Sequence, residues 1–311
     1  MSTSVVGAAT TADAALDAPR LRWWKESIYV LGFYAIYTLI RNRFGSASVG
    51  STHAFNNAVR IIDFEKTLHI FNESTVQSWF LGVPLLLRAL NIFYGSFHFA
   101  VTASALVWLA WRHPRAYPTW RNTILIATGL ALVGFALFPL MPPRLLCDCP
   151  YGSGQAAASA GLPTFMDTLA VHGGLWSFGT STMAAVSNQY AAMPSLHFAW
   201  SLWCALVLVP RVRHRTTRIL AILYPVLTLA TVVITGNHFW LDAAGGALVI
   251  GIGWLIGSKL AAVMHRGAAR SDTVPFKSIL ADPAESALPP DFPGECSPSI
   301  AGESPGQGMT P

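Results

Sequence analysis

Six long apolar runs alternate with short polar segments along the chain. A helix needs about 20 mostly apolar residues to cross a hydrocarbon core of about 30 Å. Each run has about that length, so the pattern predicts an all-α integral membrane protein with a bundle of six transmembrane helices. The predicted spans cover residues 24–40, 85–111, 123–140, 194–209, 219–235 and 241–263.

Three other segments follow different patterns. Residues 51–80 mix large apolar side chains with charged ones, which predicts one or two amphipathic helices lying along the membrane surface. Residues 1–21 lack the apolar region of a signal peptide, and residues 266–311 are rich in Pro, Gly, Ser and Glu. We therefore expect a disordered leader, a membrane domain over residues 22–265 with an outer loop at 142–193, and a disordered tail.

Composition and charge support this division. Hydrophobic residues make up 53% of the chain and charged residues 11%, whereas about 25% of the residues in a soluble protein are charged. The net charge of +5 comes from short basic clusters between the apolar runs, which is typical of topology signals and predicts no nucleic-acid partner. Fourteen of the twenty Lys and Arg residues lie on the side of both termini. Both termini are therefore predicted to be cytoplasmic, in a multi-pass protein of the cell membrane.

Three polar sequences fall on the opposite, extracytoplasmic face. They are Met-Pro-Pro-Arg-Leu at 141–145, Met-Pro-Ser-Leu-His at 193–197, and Thr-Gly-Asn-His-Phe-Trp-Leu-Asp at 235–242. His197 and His238 are 41 positions apart, close to one span across the membrane and another back. The two imidazoles are therefore expected at the same depth.

These residue types suit a phosphate ester. Asp242 follows His238 by four residues, so on a helix its carboxylate can accept the Nδ1 proton and leave Nε2 free as a nucleophile. Ser195 suits a helix start, where free amides favour an anion. The planar guanidinium of Arg144 matches phosphate oxygens.

The same residues resemble the phosphatidic acid phosphatase type 2 superfamily, over roughly residues 50–262. Its motif Pro-Ser-x-His is matched at 194–197, and its motif Gly-x-His-x-x-x-Asp at 236–242. Hydrolytic members usually carry a Lys where this chain has Leu137, an Arg where it has Val232, and a Gly where it has Leu196. The sequence Pro-Ser-Leu-His is closer to the branch that includes inositol phosphorylceramide synthase, which favours head-group transfer.

The resemblance implies a mechanism without a metal or other cofactor. His238 would attack phosphorus to give a phosphohistidine, Asp242 would orient it, and His197 would serve as general acid and then as general base. Arg144 and Ser195 would stabilise the phosphoryl oxygens. The expected substrate is a lipid phosphate or phospholipid. Water as acceptor makes a lipid phosphatase, whereas inositol or a lipid alcohol makes a transferase, and the motifs leave both open.

The sequence allows two roles for several other polar residues. Asn91, Tyr94 and His98 follow helical spacing and line either a head-group pocket or contacts between helices. Asn237 either donates to the phosphate or holds the turn. A lipid transporter or binding protein that uses residues of the second span is the alternative from another class.

Cysteine usage does not favour a metal site. Cys147 and Cys149 form either a disulfide or a pair of free thiols, because zinc needs four ligands and no second pair has suitable spacing. The sequence leaves the oligomeric state open.

Overall fold

The computed structural model describes residues 23–44, 50–174 and 189–271. Within these ranges the chain is helical and forms no strand, as the apolar pattern predicts, apart from one isolated bridge between Leu140 and Ala191. The helices are α1 Trp23–Phe44, α2 Ser51–Thr67, α3 Glu73–Phe80, α4 Pro84–Arg112, α5 Tyr117–Leu137, α6 Gly154–Ser159, α7 Thr168–His172, α8 Leu196–Leu208, α9 Arg215–Ile234 and α10 Trp240–Ser271. A 3-10 turn at Pro143–Leu146 lies between α5 and α6.

Four of these helices are long and apolar enough to cross a membrane: α4, α5, α9 and the Trp240–Met264 part of α10. They correspond to the second, third, fifth and sixth predicted spans and indicate a membrane protein. At the fourth predicted span, α8 has only 13 residues, or about 20 Å of helix, less than the hydrocarbon core. A count of six spans and the orientation of the termini stay predictions.

The segment 51–80 forms two helices, α2 and α3, within the one or two that were expected. Their charged residues, however, do not all lie on a polar surface. Glu65 of α2 and Glu73 of α3 are both 0% exposed, and Gln77 of α3 is also buried. These helices therefore carry polar contacts into the interior of the protein as well as an amphipathic face.

The last helix extends beyond the predicted start of the tail. The described part of α10 runs to Ser271, past the boundary at 265, because the sequence after the apolar run still contains several Ala and Arg residues that favour helix. The predicted leader 1–21 and the tail from 272 onward lie outside the described residues. The chain divides into two units, 1–265 and 266–311.

Glycines let α10 approach its neighbours closely. A Cβ on Gly253 would lie 2.6 Å from the carbonyl oxygen of Thr123 in α5, and one on Gly257 would lie 2.9 Å from the Thr123 nitrogen. At its amino end, a Cβ on Gly246 would lie 2.6 Å from the carbonyl oxygen of Ser195. Small residues permit such close helix packing, which brings the first turns of α10 against the start of α8.

Candidate active site

Backbone hydrogen bonds join the three polar sequences into one site. The Arg144 N–H donates to the Gly236 carbonyl at 2.7 Å, and the Ser195 N–H donates to the Asp242 carbonyl at 2.9 Å. A third bond runs from the Leu140 N–H to the Tyr190 carbonyl at 2.8 Å. The ends of α5 and α9 and the starts of α8 and α10 therefore meet at one end of the bundle.

The sharp turn before α10 depends on Gly236. Its φ of +66° is in the left-handed region, where a residue with a Cβ is strained. A Cβ there would also lie 2.9 Å from Nε2 of Gln77. The turn thus combines a special backbone conformation with a close contact to α3, and it positions the two residues that follow.

His238 and Asp242 are paired through the nitrogen that the sequence predicted. Nδ1 of His238 is 3.2 Å from Oδ2 of Asp242, and the same oxygen accepts the Phe239 N–H at 2.9 Å. Both side chains are buried. Nε2 of His238 is buried and has no hydrogen-bond partner in the described part of the chain, so it is available to a substrate.

His197 lies in the first turn of α8, and its ring faces the ring of His238. The ring centroids of His197 and His238 are 5.6 Å apart. On its other side His197 stacks on Tyr94 at 4.0 Å and contacts His98 at 4.2 Å, both from α4. The two imidazoles are therefore at the distance of a ring-to-ring contact.

Ser195 and Asn237 hold the surrounding backbone. Oγ of Ser195 accepts the Phe198 N–H at 3.4 Å and caps α8, as its position before the helix predicts. Nδ2 of Asn237 donates to Oγ1 of Thr235 at 2.8 Å, so in this conformation Asn237 stabilises the turn. Of its two predicted interpretations, the contacts in the structure correspond to the second.

Arg144 belongs to a buried ion pair that the sequence did not predict. Its Nη1 is 2.9 Å from Oδ2 of Asp167, and Tyr151 donates its hydroxyl to the same oxygen at 3.2 Å. Partial burial and the charge of Asp167 raise the pKa of Tyr151. Nε of Arg144 is buried without a partner among the described residues. One edge of the guanidinium is therefore fixed, while Nε is available to an anion.

Asn91, unlike its helix neighbours Tyr94 and His98, is occupied by the outer loop. Its Nδ2 donates to the carbonyls of Thr168 and Gly173 at 2.8 and 2.9 Å, and its Oδ1 accepts the Thr168 hydroxyl. The amide group of Asn91 therefore anchors this loop to α4. Tyr94 and His98 remain beside His197.

Beyond His197, side chains of α4 and α9 surround a narrow cleft that is too small to hold a water molecule. Val232, at the position where hydrolytic members usually have Arg, is fully buried and contributes to its wall. Leu137, at the usual Lys position, is 77% exposed. The cleft is lined by Phe93, Tyr94, His98, His197, Tyr224, Thr228, Thr231 and Val232.

Glu65 was detectable from the sequence, although the prediction missed it. The buried positions of α2 include Ala54, Ala58, Ile61 and Ile62, and a helical period extends this stripe to Glu65. Asp167 gave no such signal, because it lies in an irregular loop far along the chain from Arg144.

Cys147 and Cys149 form a disulfide, one of the two states that the sequence left open. No group of three or more His, Cys, Asp or Glu within the described ranges is arranged to hold a metal ion. The outer loop therefore contributes a covalent link that begins at the residue directly after the 3-10 turn that carries Arg144.

Comparison with known proteins gives the family. The model of the PAP2 superfamily matches residues 59–256, more than half of the chain, and this chain belongs to that superfamily. The match includes all three polar sequences and agrees with the resemblance drawn from the motifs. Membership indicates enzymatic chemistry of the phosphatase type on lipid phosphates. Curated proteins and solved structures gave no match.

Proposed function

We propose that this protein is a membrane-embedded phospho-head-group transferase that acts on a phospholipid through a phosphohistidine at His238. The donor is a lipid phosphodiester or lipid phosphate, and the acceptor is inositol or a lipid alcohol such as diacylglycerol or ceramide. In this proposal the bundle has six spans, both termini are cytoplasmic, and the site faces outward. No metal or other cofactor takes part.

The observation that carries the proposal is the state of His238. Asp242 holds Nδ1, which fixes the tautomer with the lone pair on Nε2, and Nε2 is buried and unpartnered within the described residues. An imidazole held this way beside a second imidazole at 5.6 Å is suited to nucleophilic attack with a general acid opposite.

The two half-reactions balance as follows. Nε2 of His238 attacks phosphorus, the bond from phosphorus to the lipid oxygen breaks, and His197 gives its proton to the leaving alkoxide. In the second half, His197 takes the proton of the acceptor hydroxyl, the acceptor oxygen attacks phosphorus, and the bond from phosphorus to nitrogen breaks. Arg144 and the amides around Ser195 stabilise the negative oxygens in both.

Transfer, in preference to hydrolysis, is supported by the surroundings of His197. Its ring is enclosed by Tyr94 and His98, and the narrow cleft beyond it is lined by apolar side chains and by Thr and Tyr residues. Val232 contributes no charge to that lining. Packing this close leaves no room for bulk water on that side of His197, which favours an acceptor that binds over free water.

The test is product analysis by mass spectrometry. Purified protein in phospholipid nanodiscs would be incubated with a panel of labelled phospholipids and lipid phosphates, with inositol, diacylglycerol and ceramide supplied as acceptors. The expected product is a new phosphodiester from a phospholipid donor and a new phosphomonoester of the acceptor from a lipid phosphate donor. Inorganic phosphate as the only product would make the protein a lipid phosphatase, and lipid movement without chemical change would favour the transporter.

The intermediate is tested separately. Brief incubation with a donor labelled in its phosphate should leave label on the protein that is stable to base and lost in acid, as a phosphoramidate is. His238→Ala should remove label and turnover together, while His53→Ala, which removes an exposed histidine of α2, should change neither. Full turnover in His238→Ala would contradict the mechanism.

A further inference from the structure

Two carboxyl groups from the surface helices bind the amino end of α10. The Trp240 N–H donates to Oε1 of Glu73 at 3.2 Å, and the Leu241 N–H donates to Oε1 of Glu65 at 2.8 Å. Both carboxyl groups are 0% exposed. Since the amide before them donates to Asp242, three consecutive amides at this helix start each have a different carboxyl acceptor.

The two glutamates are bound unequally. Oε2 of Glu73 accepts the Asn72 N–H at 3.0 Å, so each oxygen of Glu73 accepts from a backbone donor. Oε2 of Glu65 is buried and has no hydrogen-bond partner in the described ranges. A buried oxygen that accepts nothing is the one that best carries a proton, because a hydroxyl there can donate to the neighbouring carboxylate.

The electrostatics agree with this assignment. Burial raises the pKa of Glu65 to about 9, and the adjacent Glu73 and the charge of Asp242 act in the same direction. Two carboxyl groups that share a site cannot both ionise readily. Glu65 is therefore the neutral member of the pair at neutral pH.

We propose that Glu65 and Glu73 share one proton, with Glu65 neutral and Glu73 ionised, and that the pair positions the start of α10 so that His238 aims its free Nε2 at the substrate. The positioning role rests on the proposed function. Neither glutamate is given a contact with substrate, and both act through the backbone of residues 240 and 241, two and three positions after the nucleophile.

The unequal roles give an asymmetric test. In Glu65→Gln the side-chain oxygen still accepts from Leu241 and the amide nitrogen replaces the protonated oxygen, so kcat should stay within about threefold of wild type. In Glu73→Gln the side chain has one acceptor oxygen in place of two. Its NH2 group must therefore face the backbone N–H of either Asn72 or Trp240, which loses its acceptor. We expect kcat to fall at least tenfold with little change in KM, because substrate contacts remain. Asp63→Asn, which neutralises an exposed acid on α2, is the matched control.

Two measurements do not depend on turnover. Infrared difference spectra of wild type minus Glu65→Gln should contain the C=O band of a protonated carboxyl group, which Asp63→Asn should retain. Hydrogen exchange of a peptide that covers residues 238–244 should be faster in Glu73→Gln than in wild type or Glu65→Gln.

The outcomes separate the two proposals. Equal damage from Glu65→Gln and Glu73→Gln, or a missing carboxyl band, would overturn the shared proton. Wild-type kcat in Glu73→Gln, with exchange at 238–244 accelerated, would overturn the positioning role. If wild type itself forms no product and no phosphohistidine, the proposed function fails, while the infrared and exchange results still decide the state of the pair.

Discussion

Nη1 of Arg144 lies 2.9 Å from Oδ2 of Asp167, and both side chains are buried. Oδ1 of Asp167 accepts the N–H groups of Leu169 and Ala170 at the start of α7, so the carboxylate is itself held by the outer loop. The orientation of the guanidinium therefore depends on a loop that is 23 residues further along the chain.

Asp167→Asn should lower kcat/KM by about tenfold or more. Oδ1 of the new amide can still cap α7, but its nitrogen would face a guanidinium N–H, and loss of a charge-assisted hydrogen bond costs about 1.5–3 kcal/mol. Each 1.4 kcal/mol is a factor of about ten if the transition state bears the loss. Steady-state kinetics on the labelled donor measure this, with the exposed Asp148→Asn as control. Faster turnover in Asp167→Asn would instead mean that Asp167 competes with substrate for Arg144.

Asp242→Asn should slow phosphohistidine formation by about 10²-fold or more, with the protein still folded. The amide oxygen of the new Asn can still accept from His238 and Phe239, as the carboxylate oxygen does now. The variant loses the negative charge that stabilises the positive charge developing on the imidazole. Rapid-quench measurement of label on the protein reports this step alone. An unchanged rate would remove Asp242 from the mechanism and leave it a helix-capping residue.

Local periodicity predicted the parts of this molecule that depend on nearby sequence. The four-residue spacing from His238 to Asp242 predicted that their side chains would pair. The 41 positions between His197 and His238 predicted a common depth, and the two ring centroids are 5.6 Å apart. Both inferences use only the rise of a helix and the thickness of a membrane.

The rest of the site depends on contacts between distant segments. The pairing of Arg144 with Asp167, and the carboxyl groups on the amides of residues 240 and 241, join irregular loops or surface helices whose arrangement has no periodic signature. Asn91 illustrates the same limit. Its helical spacing from Tyr94 is as predicted, but its partners come from a loop more than 70 residues away.

Stability should depend on pH through Glu65. Its ordinary pKa of 4.5 applies to the unfolded chain and about 9 to the folded one, so between these values the folded state holds one more proton. The contribution of Glu65 to the free energy of unfolding is therefore fully present below about pH 4.5 and is lost as the pH rises toward 9. The groups facing it are Glu73 from α3 and Asp242 from α10, which both oppose its ionisation.

The measurement is the melting temperature in nanodiscs from pH 5 to 9. Wild type and Asp63→Asn should lose stability relative to Glu65→Gln over this range, since glutamine has no proton to lose. One pKa unit corresponds to about 1.36 kcal/mol, so even part of this shift should move the melting temperature by a few degrees. Parallel curves for all three proteins would contradict a neutral buried Glu65.

Close packing of α10 on α8 should matter for catalysis more than for helix formation. A Cβ at Gly246 would lie 2.6 Å from the Ser195 carbonyl oxygen, so Gly246→Ala must move the start of α8 away from α10 and separate His197 from His238. Gly251→Ala in the same helix meets nothing within 4 Å and gains the same helix propensity. We expect Gly246→Ala to form the phosphohistidine at least tenfold more slowly and Gly251→Ala to match wild type, with both retaining the helical circular dichroism of the parent. Equal rates in the two variants would mean that the distance between the two imidazoles tolerates this displacement, and that the close contact serves packing alone.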